Sequence, residues 1–171
     1  QWEQEMFDGT RAIFEKLKRP DTVVVLPVLP DGRIIVTEQE QPGSEPFIGA
    51  VGGRVDEGED ALSAAKRELL EESGYEAEEF ILWHSMQVVT KIDWVVYTFI
   101  AKGLKKVADL NLDGGEKIKL LPVTIDELIN LATDGYKNFG DKEISGKFFE
   151  AKANPKKKEE LNKLFKPSEK S

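Results

Sequence analysis

Gly53-Arg-Val-Asp-Glu-Gly-Glu59 and, after seven further residues, Arg67-Glu68-Leu-Leu-Glu71-Glu72-Ser-Gly74-Tyr75 set clustered carboxylates on one short helix behind a glycine loop. A helical residue advances about 100°, so with Glu68 at zero Glu71 falls at about −60° and Glu72 at about +40°. Ala61, Ala64 and Ala65 share that arc one and two turns earlier, and no lysine stands among the acids. Glu68 and Glu72 are like charges at i, i+4, a spacing that costs an isolated helix about 0.2–0.5 kcal/mol. Arg67, four residues before Glu71, offsets part of that repulsion and orients one carboxylate, but one arginine cannot neutralise three acids. Hard cations can: Mg²⁺ and Mn²⁺ take oxygen ligands at about 2.1 Å and tolerate several waters.

A solvated acidic helix is the plain alternative for such a charge run. That kind of helix interleaves Lys with Glu on one face. Here Leu62, Leu69 and Leu70 occupy the flank away from the acids, where they are expected to pack on a sheet, and the alanines leave room beside the acids for another segment or a ligand.

Gly53, five residues, Glu59, seven residues, then Arg67 through Tyr75 resembles the Nudix box, the signature of the Nudix hydrolases, with nine matching positions across residues 53–75. Only Tyr75 departs mildly, standing where an aliphatic residue is usual. Beyond the box the chain is most similar to the ADP-ribose and nucleotide-sugar pyrophosphatase branch, through Phe7–Phe14, Lys18–Val25, Glu40-Gln-Pro-Gly43, Ile92-Asp-Trp94 and Leu112–Glu116. Two departures leave the substrate open. Val51 replaces a proline that often precedes the paired glycines, and no proline of the kind that marks ADP-ribose specificity lies between Trp83 and Asp93.

The resemblance implies an α/β Nudix fold, a mixed β-sheet sandwiched between α-helices (α-β-α). Residues 1–20 are then an N-terminal β extension, 21–150 the hydrolase domain, and 151–171 a lysine-rich tail or short helix. It also implies Mg²⁺-dependent hydrolysis, with Mn²⁺ an alternative ion, of the diphosphate linkage in a nucleoside diphosphate joined to a further group X. An ADP-sugar such as ADP-ribose is the leading substrate. The rivals are a nucleoside-triphosphate pyrophosphohydrolase that sanitises the nucleotide pool and a non-catalytic Nudix-fold sensor of nucleotide sugars, the latter disfavoured by the intact acids.

By the same resemblance Glu68, Glu71, Glu72 and the carbonyl of Gly52 are metal ligands, with Glu72 bridging ions, while Arg67 and Glu59 brace the acids. Glu116, on a loop well after the box, is the candidate general base, and a box glutamate is the alternative. Arg54, Glu40 and Gln41 are candidates to meet the substrate's phosphates or sugar. Trp94 and Phe47 offer rings for a nucleobase, against the commoner role of a strand aromatic as core. His84, between Trp83 and Met86 in an apolar run, reads as a structural histidine rather than a catalyst. Trp2, Phe7, Ile13, Phe14 and Leu17 precede the main sheet with more apolar surface than a free arm exposes. In the resembling pyrophosphatases that region forms an intersubunit sheet, so a homodimer is expected.

Composition agrees with one compact domain: 171 residues at 40% hydrophobic content suffice for a real core. The absence of cysteine excludes disulfides, thiolate metal sites and a cysteine nucleophile. No apolar run approaches the length that crosses a bilayer and the first residues are unlike a signal peptide, so a cytoplasmic location is the default expectation. Net charge is −8, but residues 151–171 hold seven lysines against three glutamates, leaving −12 on the first 150. Such a body repels nucleic acid, and Lys156-Lys-Lys158 reads as the solvated face of a short helix that starts at Pro155.

Strand-like runs are expected at Arg11–Lys18, Thr22–Leu29, Arg33–Gln39, Phe80–Thr90, Asp93–Ala101 and Glu116–Pro122, separated by turns at Pro30-Asp-Gly32 and Asp113-Gly-Gly115. Helical periods follow Asp60 and Thr124. Thr124-Ile-Asp-Glu127 reads as a capping box and Gly74 as the left-handed residue that ends the acidic helix. Tyr136–Asp141 reads as a loop over the site or, the preferred reading, as a helix connection.

Overall fold

Thr22-Val-Val-Val-Leu-Pro27 is apolar on both of its alternating faces, the pattern of a strand covered on two sides. In the computed structural model, which describes residues 1–40, 42–112, 117–134 and 138–168, it is one of the two inner strands of the main sheet. Three short exposed strands precede it: β1 (Trp2–Glu5), β2 (Arg11–Phe14) and β3 (Leu17–Lys18). Then follow β4 (Thr22–Pro27), β5 (Ile34–Glu40), β6 (Phe47–Gly49), β7 (Val51–Arg54), helix α1 (Ala61–Ser73), β8 (Tyr75–Gln87), β9 (Ile92–Asp93), β10 (Val95–Lys106), β11 (Lys117–Val123), α2 (Ile125–Thr133), α3 (Lys142–Ala153) and α4 (Pro155–Leu164).

The main sheet has the order β7-β4-β10-β8, with β4 and β10 parallel and both outer pairings antiparallel. Strands β11-β5-β6 form a second, antiparallel sheet. Alternation along β4 divides the core. Val23 and Val25 pack with Ala64, Ala65 and Leu69 of α1 and Phe99 of β10, while Val24 and Leu26 pack with Leu128 of α2, Ile144 and Phe148 of α3, and Leu161 and Phe165 beyond. Helices therefore cover both faces, and the α-β-α arrangement holds. Fully burying a side chain such as Leu69 contributes about 1.5–3 kcal/mol, so α1 is fixed to the sheet mainly by that face.

Several expectations change at the element level. Leu62 does not join the packed flank but stays exposed; the sheet approaches closely enough for Ala64 and Ala65 to be the buried contacts, a job for small side chains. The single strand expected over Arg11–Lys18 is two. A turn with Gly9 at φ 82 folds β1 back on β2, and β3 pairs instead with β9. Strand β8 begins at Tyr75, directly after the helix, rather than at Phe80. Strands β6 and β7 have no strand signature in the sequence because Gly49, Gly52 and Gly53 disfavour strands, and α3, whose apolar positions Ile144, Phe148 and Ala151 bracket Gly146, has only a broken helical period. Residues 151–164 finish α3 and form α4, with Leu161 and Phe165 buried and Phe165 edge-on to Trp83. Among the described helices none is long and apolar enough to cross a membrane.

Candidate active site

Helix α1 is set by its ends. Asp60 accepts the amide of Ser63 at 2.9 Å as N-cap, and Gly74, at φ 68, donates to the Leu70 carbonyl as the left-handed stop. The segment after β10 straps the C-terminus: Val107 and Ala108 donate to the Gly74 carbonyl, Lys106 Nζ to that of Ser73, and the Asn111 amide to that of Glu71. These bonds satisfy carbonyls that a helix end leaves open. Tyr75, the atypical last residue of the motif, lies under Lys106 Nζ at 5.2 Å and packs into the α1 side of the core.

The acidic face of α1 lies against β7, and the two glycines make that approach possible. A Cβ on Gly53 would sit 2.3 Å from Glu68 Oε1, and one on Gly52, at φ +155, would sit 2.1 Å from the Val23 carbonyl oxygen. Gly52 donates its amide to Glu72 Oε2 at 2.9 Å, and Glu72 is buried. Arg67 is the hub of the cluster. Its Nη1 reaches Glu68 at 2.8 Å and Glu71 at 3.1 Å, its Nη2 and Nε reach Glu59 at 3.1 and 3.3 Å, and Nη2 also donates to the Arg54 carbonyl at 2.9 Å. Arg67 holds the Glu59 carboxyl below the usual range, and Glu59 in turn raises the guanidinium further above its already high value. Five donors in a rigid fork suit this role, which a lysine cannot reproduce.

Gly52, Gly53, Arg54, Arg67, Glu68, Glu71 and Glu72 line one cavity of about 470 Å³. Gln39, Asp56, Asn111 and Leu112 complete it; none of these four was singled out from the sequence. Glu40, a candidate for substrate contact, does not line this cavity, and its neighbour Gln39 does. Glu40 points away to an ion pair with Lys117 at 3.2 Å, because neighbouring strand residues face opposite sides, and Gln39 is the one that meets the cavity. Trp94 also stays outside: its indole N–H donates to Thr22 Oγ1 at 3.0 Å, and the Arg19 guanidinium covers its ring at 4.1 Å. Phe47 lines an adjoining cavity of about 300 Å³ that shares Gln39 and Gly52 with the first. Gln41 and Glu116, with the Asp113–Gly115 turn, lie outside the described residues. His84, on β8, lies away from the cavity; burial first, and the Lys147 charge second, lower its pKa.

Among the described residues, no three Asp, Glu, His or Cys side chains are already drawn together as a closed ligand set. Arg67 contacts both Glu68 and Glu71, and Glu72 is turned to the Gly52 amide. The donor chemistry nonetheless suits a hard cation: three carboxylates from one helical turn face a polar cavity, beside a backbone bare of Cβ atoms.

Residues 18–143 match the NUDIX domain family. The chain is 30% identical over 128 residues to the methanol dehydrogenase activator of Bacillus methanolicus, covering 73% of this chain and 69% of that protein. It is 28% identical over 130 residues to the ADP-ribose pyrophosphatase of Bacillus subtilis (strain 168), covering 74% and 70%. A crystal structure of an ADP compounds hydrolase superposes with a TM-score of 0.63 over 75% of this chain and 71% of that one, at 19% identity. A NUDIX hydrolase from Nitrosomonas europaea superposes with a TM-score of 0.53 over 64% and 76%, at 23% identity. These two structural likenesses speak for the fold.

Proposed function

The chain belongs to the Nudix family and is a pyrophosphohydrolase of it; on that premise we propose that it splits the diphosphate linkage of a nucleoside diphosphate joined to a further group, with an ADP-sugar such as ADP-ribose the leading substrate. The observation that carries this reading is the placement of Glu68 and Glu72 against the bare backbone of Gly53 and Gly52, with Glu71 lining the same polar cavity, which is large enough for a diphosphate. The Bacillus subtilis relative, named an ADP-ribose pyrophosphatase, supports the substrate class.

Glu68, Glu71, Glu72 and the Gly52 carbonyl would hold Mg²⁺ or Mn²⁺, which neutralises diphosphate oxygens and acidifies water. The chain's own part is orientation. Arg67, anchored by Glu59 and the Arg54 carbonyl, holds Glu68 and Glu71 in place. The Arg54 side chain supplies positive charge beside the diphosphate, and the side-chain amide of Asn111 offers donors to phosphate or sugar oxygens, while Gln39, whose Nε2 is taken by Thr37 and Ala50, presents its amide oxygen to a sugar hydroxyl. Glu116, a few residues past Leu112 at the cavity, is the proposed acceptor of the water's proton. A homodimer through the N-terminal strands is also proposed, since Phe7, Ile13 and Leu17 leave most of their surface exposed there.

A screen of nucleotide sugars, dinucleoside polyphosphates and nucleoside triphosphates with Mg²⁺ and Mn²⁺ tests the reading. Phosphorus NMR should show AMP and a sugar phosphate from ADP-ribose. Inorganic pyrophosphate released from triphosphates would replace this substrate class, and tight binding with no product would replace hydrolysis by sensing. The Bacillus methanolicus relative favours a second reading of the physiological role, action on a dehydrogenase. Adding wild-type and Glu72→Gln protein to a purified methanol dehydrogenase decides it: no rate change with either removes that role.

A further inference from the structure

Strand β6 belongs to the second sheet and β7 to the main one, so the chain changes sheets at the residue between them, Ala50. Ala50 is buried. Outside both ladders, its amide would be a buried donor without a partner, a deficit that costs about 1–3 kcal/mol. Asp141, far along the chain, supplies the acceptor: its Oδ2 lies 2.6 Å from Ala50 N. The Ala50 carbonyl is held too, by Thr37 Oγ1 at 3.3 Å and Gln39 Nε2 at 3.4 Å.

We infer that Asp141 is a positioning residue of the hydrolytic site: by capping the Ala50 amide at the crossover it fixes the path of Gly52 and Gly53, against which the acids of α1 are set. Three features of the fold converge on this contact. Asp141 is the N-cap residue of α3, yet its side chain makes no capping bond to that helix, forgoing about 1 kcal/mol of local stabilisation. Gly140 donates to the Ile48 carbonyl at 2.7 Å, and a Cβ on Gly140 would sit 2.8 Å from the Phe47 ring. A Cβ on Gly49 would sit 3.2 Å from Asp141 Oδ2. Two glycines on facing segments thus admit one carboxylate. From Ala50 the backbone runs extended for two residues to Gly52, which bonds Glu72, and for three to Gly53, which abuts Glu68. A shift at Ala50 passes directly to both.

This inference rests on the hydrolase reading above, and the experiment separates the two. Asp141→Asn keeps an acceptor oxygen; Asp141→Ala removes it. Amide exchange at Ala50 and Gly52, followed by NMR, reads the crossover without any need for turnover, and Mn²⁺ affinity by EPR with kcat and KM for ADP-ribose reads the site. Asp141→Ala should speed exchange at both amides, weaken Mn²⁺ and lower kcat, each by about tenfold or more, a displacement of a fraction of an ångström being enough. Asp141→Asn should stay within about threefold of wild type by the same reasoning. Should Asp141→Ala not fold, Gly140→Ala pushes the loop off Phe47 while keeping the carboxylate, and should reproduce the kinetic defect. A Phe148→Leu control with a comparable loss of Tm should keep kcat and Mn²⁺ affinity. The inference is overturned if Asp141→Ala, or Gly140→Ala in its stead, matches the Phe148→Leu control, or if Asp141→Asn is as impaired as Asp141→Ala. A wild-type protein that hydrolyses no diphosphate substrate would sink the functional reading, and the exchange arm would still decide the crossover.

Discussion

Adjacent glycines should fail in opposite ways when each receives one methyl group. The three atoms nearest a Cβ on Gly53 would all belong to the Glu68 side chain, at 2.3, 2.6 and 2.9 Å. Reaching an ordinary contact near 3.4 Å requires the carboxylate to retreat by about 1 Å, a misplacement that costs on the order of 10²-fold in rate when it falls on a group that must be placed for reaction. The fold should tolerate the change. Losing the Arg67–Glu68 pair costs about 1 kcal/mol at a partly buried position, and reduced freedom of the unfolded chain returns about 0.4–1 kcal/mol. Gly52→Ala differs because its Cβ would strike the Val23 carbonyl at 2.1 Å and the Val24 Cα at 3.1 Å. Backbone cannot swing aside as a side chain does, so β7 must part from β4, at about 3 kcal/mol or more. At this chain length that lowers Tm by about 6–12 °C. Circular dichroism melts and ADP-ribose turnover, measured together, separate the two variants. Gly53→Ala with wild-type kcat would refute the reasoning that Glu68 works from its place against the glycine, and Gly53→Ala that melts like Gly52→Ala would refute the side-chain origin of the effect.

Other perturbations test separate parts of the structure. Glu72→Gln should lower kcat by about three orders of magnitude while leaving the fold intact, if Glu72 helps hold the ions; a loss under tenfold contradicts that role. Arg67→Lys cannot span Glu59, Glu68, Glu71 and the Arg54 carbonyl at once, so kcat should fall about 10–10²-fold, and unchanged kinetics would remove the hub. Thr124→Ala removes the side-chain half of the α2 capping box, leaving the Glu127 carboxylate on the residue-124 amide, and should cost about 1 kcal/mol in urea melts with kcat unaltered. The Asp141 carboxyl is pushed up to about 6, burial being the main cause and Glu143 adding to it against the Ala50 amide. Its folded pKa lies above the unfolded value, so its contribution to stability is complete below about pH 4 and fades as pH rises through about 6, by up to about 3 kcal/mol. Urea titrations of wild type against Asp141→Asn at pH 4.5 and 7.5 should show the wild type losing ground at the higher pH, and parallel profiles would exclude the shift.

The acidic helix after Asp60, its stop at Gly74 and an apolar strand starting at Thr22 were legible because each depends on neighbours within one or two turns of chain. Local steric and hydrogen-bonding rules set the spacing of carboxylates and the place where a helix ends. The same rules could not show which of Gln39 and Glu40 faces the cavity, since one residue of register reverses the answer and only pairing with β6 and β11 fixes it. Nor could they show that Trp94 is taken by Arg19 and Thr22, or that Asp141 leaves its own helix uncapped to hold Ala50. The chain's covalent order thus determined the reactive helix and the glycines beside it. Three-dimensional packing alone determined what meets them, because those contacts join segments brought together only when the two sheets and their covering helices bury a common core.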